Sequence, residues 1–153
     1  MMARRGLAFW IATGGYSGLA PKAPGTAGSL AAAVIGAGLL WVSPALLAPA
    51  ALAATIAGFW AVPFVAAPDE DPGFVVIDEW AGQFLAMAAL GHFSGMGVAA
   101  SFVLFRLFDI AKPGPIGWAD RQSGAFGIMT DDVLAGFAAA LILLGVRAFG
   151  WLP

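Results

Sequence analysis

At 153 residues, 61% hydrophobic and only 10% charged, with a mean hydropathy of +0.89, the chain has a composition that excludes an ordinary soluble domain. A formal net charge of −2 and the absence of any Lys/Arg-rich run argue against a nucleic-acid partner. Cysteine is absent, which removes disulfides, thiolate zinc sites and cysteine nucleophiles.

A spanning helix needs roughly 20 apolar residues, so the length suits one integral membrane domain over 1–153 with a handful of crossings. Met1 to Arg5, then Gly6 to Ile11, has the basic flank of a signal peptide, but the apolar run breaks at Gly14-Gly15 and no convincing cleavage site follows. Residues 6–20, interrupted by Gly14, Gly15 and Gly18, suit an interfacial or re-entrant segment. Pro21 to Ser29 reads as a loop entering a helix. Residues 27–42 then make about one span, Ser43-Pro44 a tight break, and 45–66 a returning span, together a hairpin. A polar loop at about 67–79 carries Asp69, Glu70, Asp71, Asp78 and Glu79. Residues 80–110 are either one tilted span or two short helices broken at Gly91 to Gly95. A second polar loop, about 111–132, is rich in Gly and Pro, and 133–152 is the last span. The fold class is therefore all-α: a polytopic helical membrane protein with about three to five membrane-embedded helices.

Charge placement chooses between the two forms of 80–110. Arg4, Arg5, Lys22, Arg106, Lys112 and Arg121 fall in or beside segments on one side, and Arg147 alone falls near the other. The positive-inside rule makes the first side cytoplasmic. The nine acids all lie between Asp69 and Asp132, in or next to the same two loops. A single crossing would send Asp78/Glu79 and Asp109/Lys112 to opposite compartments. A bent or re-entrant hairpin at 80–110, with His92 to Gly95 at its tip, keeps them together.

The clusters on that side are Asp78-Glu79, Arg106 with Asp109 and Lys112, Asp120-Arg121, and Asp131-Asp132. The two acid pairs are expected to precede helices that enter the membrane, in the similar strings Ile77-Asp78-Glu79-Trp80-Ala81-Gly82 and Thr130-Asp131-Asp132-Val133-Leu134-Ala135-Gly136. An acid at a helix N-terminus contributes about 0.3–1 kcal/mol through the helix dipole. That accounts for one acid better than for two pairs sharing a plane with Lys112 and Arg121. Carboxylates without His or Cys partners are hard oxygen ligands, suited to Mg²⁺, Mn²⁺ or Ca²⁺. Mg²⁺ is commonly shared with a phosphate, whose remaining charge Lys112 and Arg121 would hold. The site should therefore transfer or hydrolyse a phosphoryl group.

Pro24 to Ser29 offers a second phosphate contact through backbone N–H groups and the Thr26 or Ser29 hydroxyls, with Lys22 just before it, or else an ordinary helix cap by Thr26. The lone His92 falls on the opposite side and is read as interfacial. One His and no Cys exclude phosphatase mechanisms based on a histidine pair or a cysteine nucleophile. The six Trp residues lie mostly near helix ends, as an aromatic belt.

Several strings together resemble the phosphatidylglycerophosphatase A family: Ala23-Pro24-Gly25-Thr26-Ala27-Gly28; Asp71-Pro72-Gly73 through Val76-Ile77-Asp78-Glu79 with Gly82-Gln83; Phe105-Arg106 with Asp109 and Lys112-Pro113; and Ala119-Asp120-Arg121 through Gly127-Ile128-Met129 with Asp131-Asp132 and Ala135-Gly136. The resemblance runs in order from about Thr13 to Ala140. It implies a multi-pass protein of the bacterial inner membrane, a Mg²⁺-dependent lipid phosphatase that converts phosphatidylglycerophosphate to phosphatidylglycerol at the cytoplasmic leaflet. It also implies Asp78, Glu79, Asp131 and Asp132 as metal ligands, Lys112 and Arg121 as phosphate binders, and Asp109 and Asp120 as orienting or base residues. A lipid-headgroup phosphotransferase would use the same chemistry, but its spaced Asp motif is missing. A cation transporter would need acids within its spans rather than at helix ends.

Overall fold

The structure, a computed structural model, describes residues 2–150. Seven α-helices are present among the described residues: α1 Met2–Ala12, α2 Pro24–Val42, α3 Leu47–Ala61, α4 Ile77–Met87, α5 Gly95–Ala111, α6 Pro115–Asp120 and α7 Gly124–Ala148. Short 3₁₀ turns at Pro44–Leu46 and Val62–Phe64 flank α3. Three stretches, Pro24–Val42, Pro44–Phe64 and Gly124–Ala148, are long and apolar enough to cross a membrane. The fold is all-helical and that of a membrane protein, in agreement with the sequence pattern.

The first two spans are apolar all round, so their packing faces are distinguished by size rather than polarity. On α2 the buried positions are Gly28, Ser29, Ala32, Ala33, Gly36 and Leu40, and on α3 they are Leu47, Ala51, Ala54, Gly58 and Ala61. This is helical spacing with small side chains. The large ones, Leu30, Val34, Ile35, Trp41, Leu52, Ile56 and Trp60, are exposed, where acyl chains would cover them. Glycine on the inner face has a visible purpose: a Cβ at Gly36 would come within 2.6 Å of Met87 Sδ, and one at Gly28 within 2.6 Å of Val76 Cβ.

At 11 residues α1 is about half the length of a span. It stops in a turn where Gly14, Gly15 and Tyr16 all take positive φ. The Val76 N–H donates to the Ala12 carbonyl at 2.8 Å, which ties the end of α1 to the entry of α4.

The bent hairpin expected over 80–110 is found as α4 and α5, joined through 88–94. Ser94 caps α5, accepting from the Gly97 N–H at 3.0 Å. The turn is held from α7, where the Arg147 guanidinium donates to the Ala89 carbonyl. A carbonyl freed by a broken helix inside apolar surroundings must find a donor, and Arg147 supplies it. At its other end α5 closes on Lys112, left-handed at φ 46°, immediately before Pro113. The helix ends before Pro113, as the restriction on a proline's predecessor requires, although Lys112 takes the left-handed region rather than the extended one.

One boundary differs from expectation. The last helix begins at Gly124, not at 133, and the loop at 111–132 contains α6 and the first two turns of α7. Gly124 to Thr130 is apolar enough to continue the span once Asp131 and Asp132 are sheltered, and both are buried. They are thus the eighth and ninth residues of α7 rather than residues preceding it. Residues 151–152 of that expected helix lie outside the described residues.

Candidate active site

The site is made by the crossing of α4 and α7. A Cβ on Gly136 would overlap the Gly82 carbonyl oxygen and lie 2.7 Å from Gly82 Cα, so the two backbones touch there. Asp78 lies four residues before Gly82, and Asp132 four residues before Gly136. Residues four apart share a helix face, so the glycine contact brings both acids together one turn above it. The similarity of the two acidic strings has this geometric meaning.

Asp78, Glu79 and Asp132 each offer a carboxylate oxygen, and these oxygens lie within 4.8 Å of one another. Asp78 and Asp132 are buried, and Asp78 Oδ1 and Glu79 Oε2 have no hydrogen-bond partner. Like charges at this range, stripped of water, need a cation or protons between them. Oxygen-only donors of this kind fit a hard divalent ion such as Mg²⁺.

Asp131 is occupied differently. Its Oδ2 accepts from Lys112 Nζ at 2.7 Å, and its Oδ1 accepts from the Asp132 N–H at 2.9 Å. Lys112 also donates to Asp120 Oδ1. Desolvation alone would lower the Lys112 pKa, but the hydrogen bonds and charges of Asp120 and Asp131 outweigh it and hold the ammonium above its ordinary value. Behind the acids, Arg106 donates to Asp109 Oδ2, with Glu79 Oε1 at 3.9 Å. Sequence reasoning placed Arg106 among the charged clusters without a role. Its signal was an arginine within an apolar helix, three residues before an aspartate.

The acids and Lys112 open into a cleft of about 460 Å³. All nine acids of the chain stand on its wall, Asp69, Glu70 and Asp71 from the loop before α4 included. Among the described residues Lys112 is the one cation lining it. At Asp71, lost solvation raises the carboxyl pKa, Lys112 opposes this, and Asp120 and Asp109 add to the rise. The loop is fastened over α7 by the Gly124 N–H, which donates to the Pro68 carbonyl at 2.8 Å.

Of the residues singled out from sequence, Asp78, Glu79, Asp109, Lys112, Asp120, Asp131 and Asp132 share this cleft. Lys22, Thr26, Ser29 and Arg121 do not line it. Lys22, Thr26 and Arg121 are exposed, whereas Ser29 is buried and its hydroxyl donates to the Gly25 carbonyl at 2.7 Å. In the glycine-rich start of α2 it is Pro24 and Gly25 that reach the cleft, and a Cβ on Gly25 would overlap Glu79 Oε1. That glycine makes room for a carboxylate. His92 is exposed in the α4–α5 turn, away from the cleft.

Fold and cleft together define a helical membrane protein with a carboxylate-lined site at one end of its helices. The phosphatidylglycerophosphatase A family profile matches residues 10–147. A protein of Bacteroides thetaiotaomicron, provisionally named a phosphatidylinositol-3-phosphatase, is 40% identical, covering 90% of this chain and 91% of its own. Proteins named phosphatidylglycerophosphatase A from Haemophilus influenzae and Escherichia coli are each 38% identical, covering 90% and 87% of this chain and 86% and 79% of their own. No solved structure matches the chain. The chain belongs to the phosphatidylglycerophosphatase A family, a family of phosphoric monoester hydrolases.

Proposed function

We propose that the protein hydrolyses the terminal phosphomonoester of phosphatidylglycerophosphate, releasing phosphatidylglycerol and inorganic phosphate in glycerophospholipid synthesis, with Mg²⁺ held by Asp78, Glu79 and Asp132. The observation that carries this reading is the convergence of those three carboxylates, two with buried unpartnered oxygens, in a cleft at the end of membrane-length helices. Family membership supports the reaction. The positive-inside distribution supports a multi-pass protein of the bacterial inner membrane whose cleft faces the cytoplasm.

Bound between the three carboxylates, Mg²⁺ would polarise phosphoryl oxygens and lower the pKa of a water. Lys112, held on the cleft wall by Asp120 and Asp131, meets the phosphoryl charge the metal leaves uncompensated. Asp109 takes one proton from the attacking water, the phosphorus–oxygen bond to glycerol breaks, and Asp109 returns that proton to the departing alkoxide. The acyl chains stay in the bilayer beside the exposed apolar faces. A transporter reading is disfavoured one helical turn below Asp78 and Asp132, where Gly82 and Gly136 are in backbone contact and Phe105 is fully buried.

The test is phosphate release by purified protein in mixed micelles, with Mg²⁺ or EDTA, for wild type and Asp132→Asn, on phosphatidylglycerophosphate and on phosphatidylinositol 3-phosphate. Full activity in the chelator would refute the metal, and wild-type activity in the variant would refute that ligand. Preference for the inositol lipid would overturn the headgroup assignment.

A further inference from the structure

We propose that Arg106 is a positioning residue for the carboxylate site: anchored on Ser29, it holds Glu79 and Asp109 so that Asp78, Glu79 and Asp132 stand preset for a divalent cation. The inference rests on the reading above that these carboxylates take one.

Arg106 lies in α5, whose other residues from Gly95 to Phe108 are uncharged. A guanidinium there is costly unless paired, and its pairing spans three helices. Nη1 donates to Asp109 Oδ2 on its own helix, lies 3.9 Å from Glu79 Oε1 on α4, and donates to Ser29 Oγ on α2 at 3.4 Å. The Ser29 hydroxyl spends its proton on the Gly25 carbonyl, so a lone pair is left to face Arg106. Gly25 completes the arrangement. A Cβ there would overlap Glu79 Oε1 and come 3.5 Å from Arg106 Nη1, so the start of α2 is cut away where the pair meets it.

Arg106 approaches Glu79 through Oε1, while Oε2 is the oxygen buried without a partner. One oxygen is steadied and the other left for the cation. Arg106 does not line the cleft and so does not meet substrate. Its effect must pass through the carboxylates, as outer-sphere partners of metal ligands act.

A merely electrostatic role predicts the opposite sign. Deleting a positive charge beside a cation site tightens cation binding, whereas deleting a positioning group loosens it. The experiment measures Mn²⁺ affinity of the full chain in detergent by electron paramagnetic resonance, with melting temperature as the check on folding. Expected are a loss of about 10-fold or more for Arg106→Gln, partial recovery for Arg106→Lys, and a smaller loss for Ser29→Ala. A folded Arg106→Gln protein that binds Mn²⁺ as tightly as wild type, or more tightly, overturns the proposal. Should that variant not fold, Ser29→Ala decides, because it removes the anchor and keeps the ion pairs. Unchanged Mn²⁺ affinity in it refutes the positioning role. Wild-type protein that binds no Mn²⁺ overturns the underlying metal reading and this inference with it.

Discussion

The contact between Gly82 and Gly136 makes the most demanding prediction. An alanine at 136 would place its Cβ 2.7 Å from Gly82 Cα and in overlap with the Gly82 carbonyl oxygen. Carbon atoms rest at about 3.5–4.0 Å, so α4 and α7 must part by about 1 Å at the crossing. Asp78 and Asp132 stand one turn above it, on opposite helices, and their carboxylates separate by a similar amount. Mg²⁺ accepts oxygens at about 2.0–2.1 Å, and a sound metal site holds its distances within about 0.2 Å. Gly136→Ala should therefore lose about 100-fold in activity, with a stability cost of about 1–3 kcal/mol from overpacking. Gly145→Ala is the control, on the same helix with nothing within 4 Å of its Cβ. The assay pairs phosphate release with Mn²⁺ affinity and melting temperature for Gly136→Ala, Gly82→Ala and the double variant. Both substitutions load the α4–α7 crossing, Gly82→Ala through the Asp132 carbonyl 2.5 Å from its Cβ and also against the Phe105 ring on α5, so their effects should not simply add. Gly136→Ala with more than half of wild-type turnover and unchanged Mn²⁺ affinity would refute the claim that this contact sets the carboxylate spacing.

Arg147→Gln removes the charged donor from the Ala89 carbonyl at the end opposite the cleft. It should cost about 1–3 kcal/mol of stability by thermal unfolding and leave Mn²⁺ affinity within about two-fold, since the carboxylates lie several turns away along α7. Lys112 has its pKa raised on folding above the ordinary 10.5, so its ion pairs stabilise fully below that value and fade as pH climbs through the higher folded value. The melting-temperature difference between wild type and Lys112→Met should accordingly be flat across neutral pH and shrink only above about pH 10.5. A difference that shrinks below about pH 9 would contradict the pairing with Asp120 and Asp131. Gly25→Ala pushes Glu79 away from Arg106 and should lower activity about 10-fold, whereas Gly38→Ala, which meets open space on the same helix, should be neutral.

The spans were legible because lipid exposure leaves a coarse mark on sequence. Runs of apolar residues with small side chains at helical spacing define α2 and α3 without reference to any partner. The hairpin at 80–110 needed a global argument, the requirement that Asp78 and Asp109 share a compartment, and the structure answers it with α4, the 88–94 turn and α5. The start of α7 was not legible. Asp131 and Asp132 read as solvated loop because their shelter comes from other segments: Lys112 pairs with Asp131, and the packing of α7 against α4 and α6 buries both acids. Local polarity reports what a residue is, not what faces it.

The same limit governs the site. The acids were identifiable by residue type, and their one-sided placement followed from topology. What composition could not rank was their division of labour. Asp131 and Asp132 are adjacent in sequence, yet 100° of helical rotation turns one toward Lys112 and the other toward Asp78 and Glu79. The glycines divide in the same way. Gly25 looked like part of an anion cradle, and its neighbour in space is a carboxylate. Gly82 and Gly136 stood as the ends of two similar acidic strings, and they are the contact on which the carboxylate geometry depends. Two short strings with an aspartate four residues before a glycine carried that relation in the sequence. Only a pair of crossing helices gives it meaning, because backbone contact at the glycines forces the residues one turn above into convergence. The strongest clue to the site was therefore the repeated interval between a charged residue and a glycine.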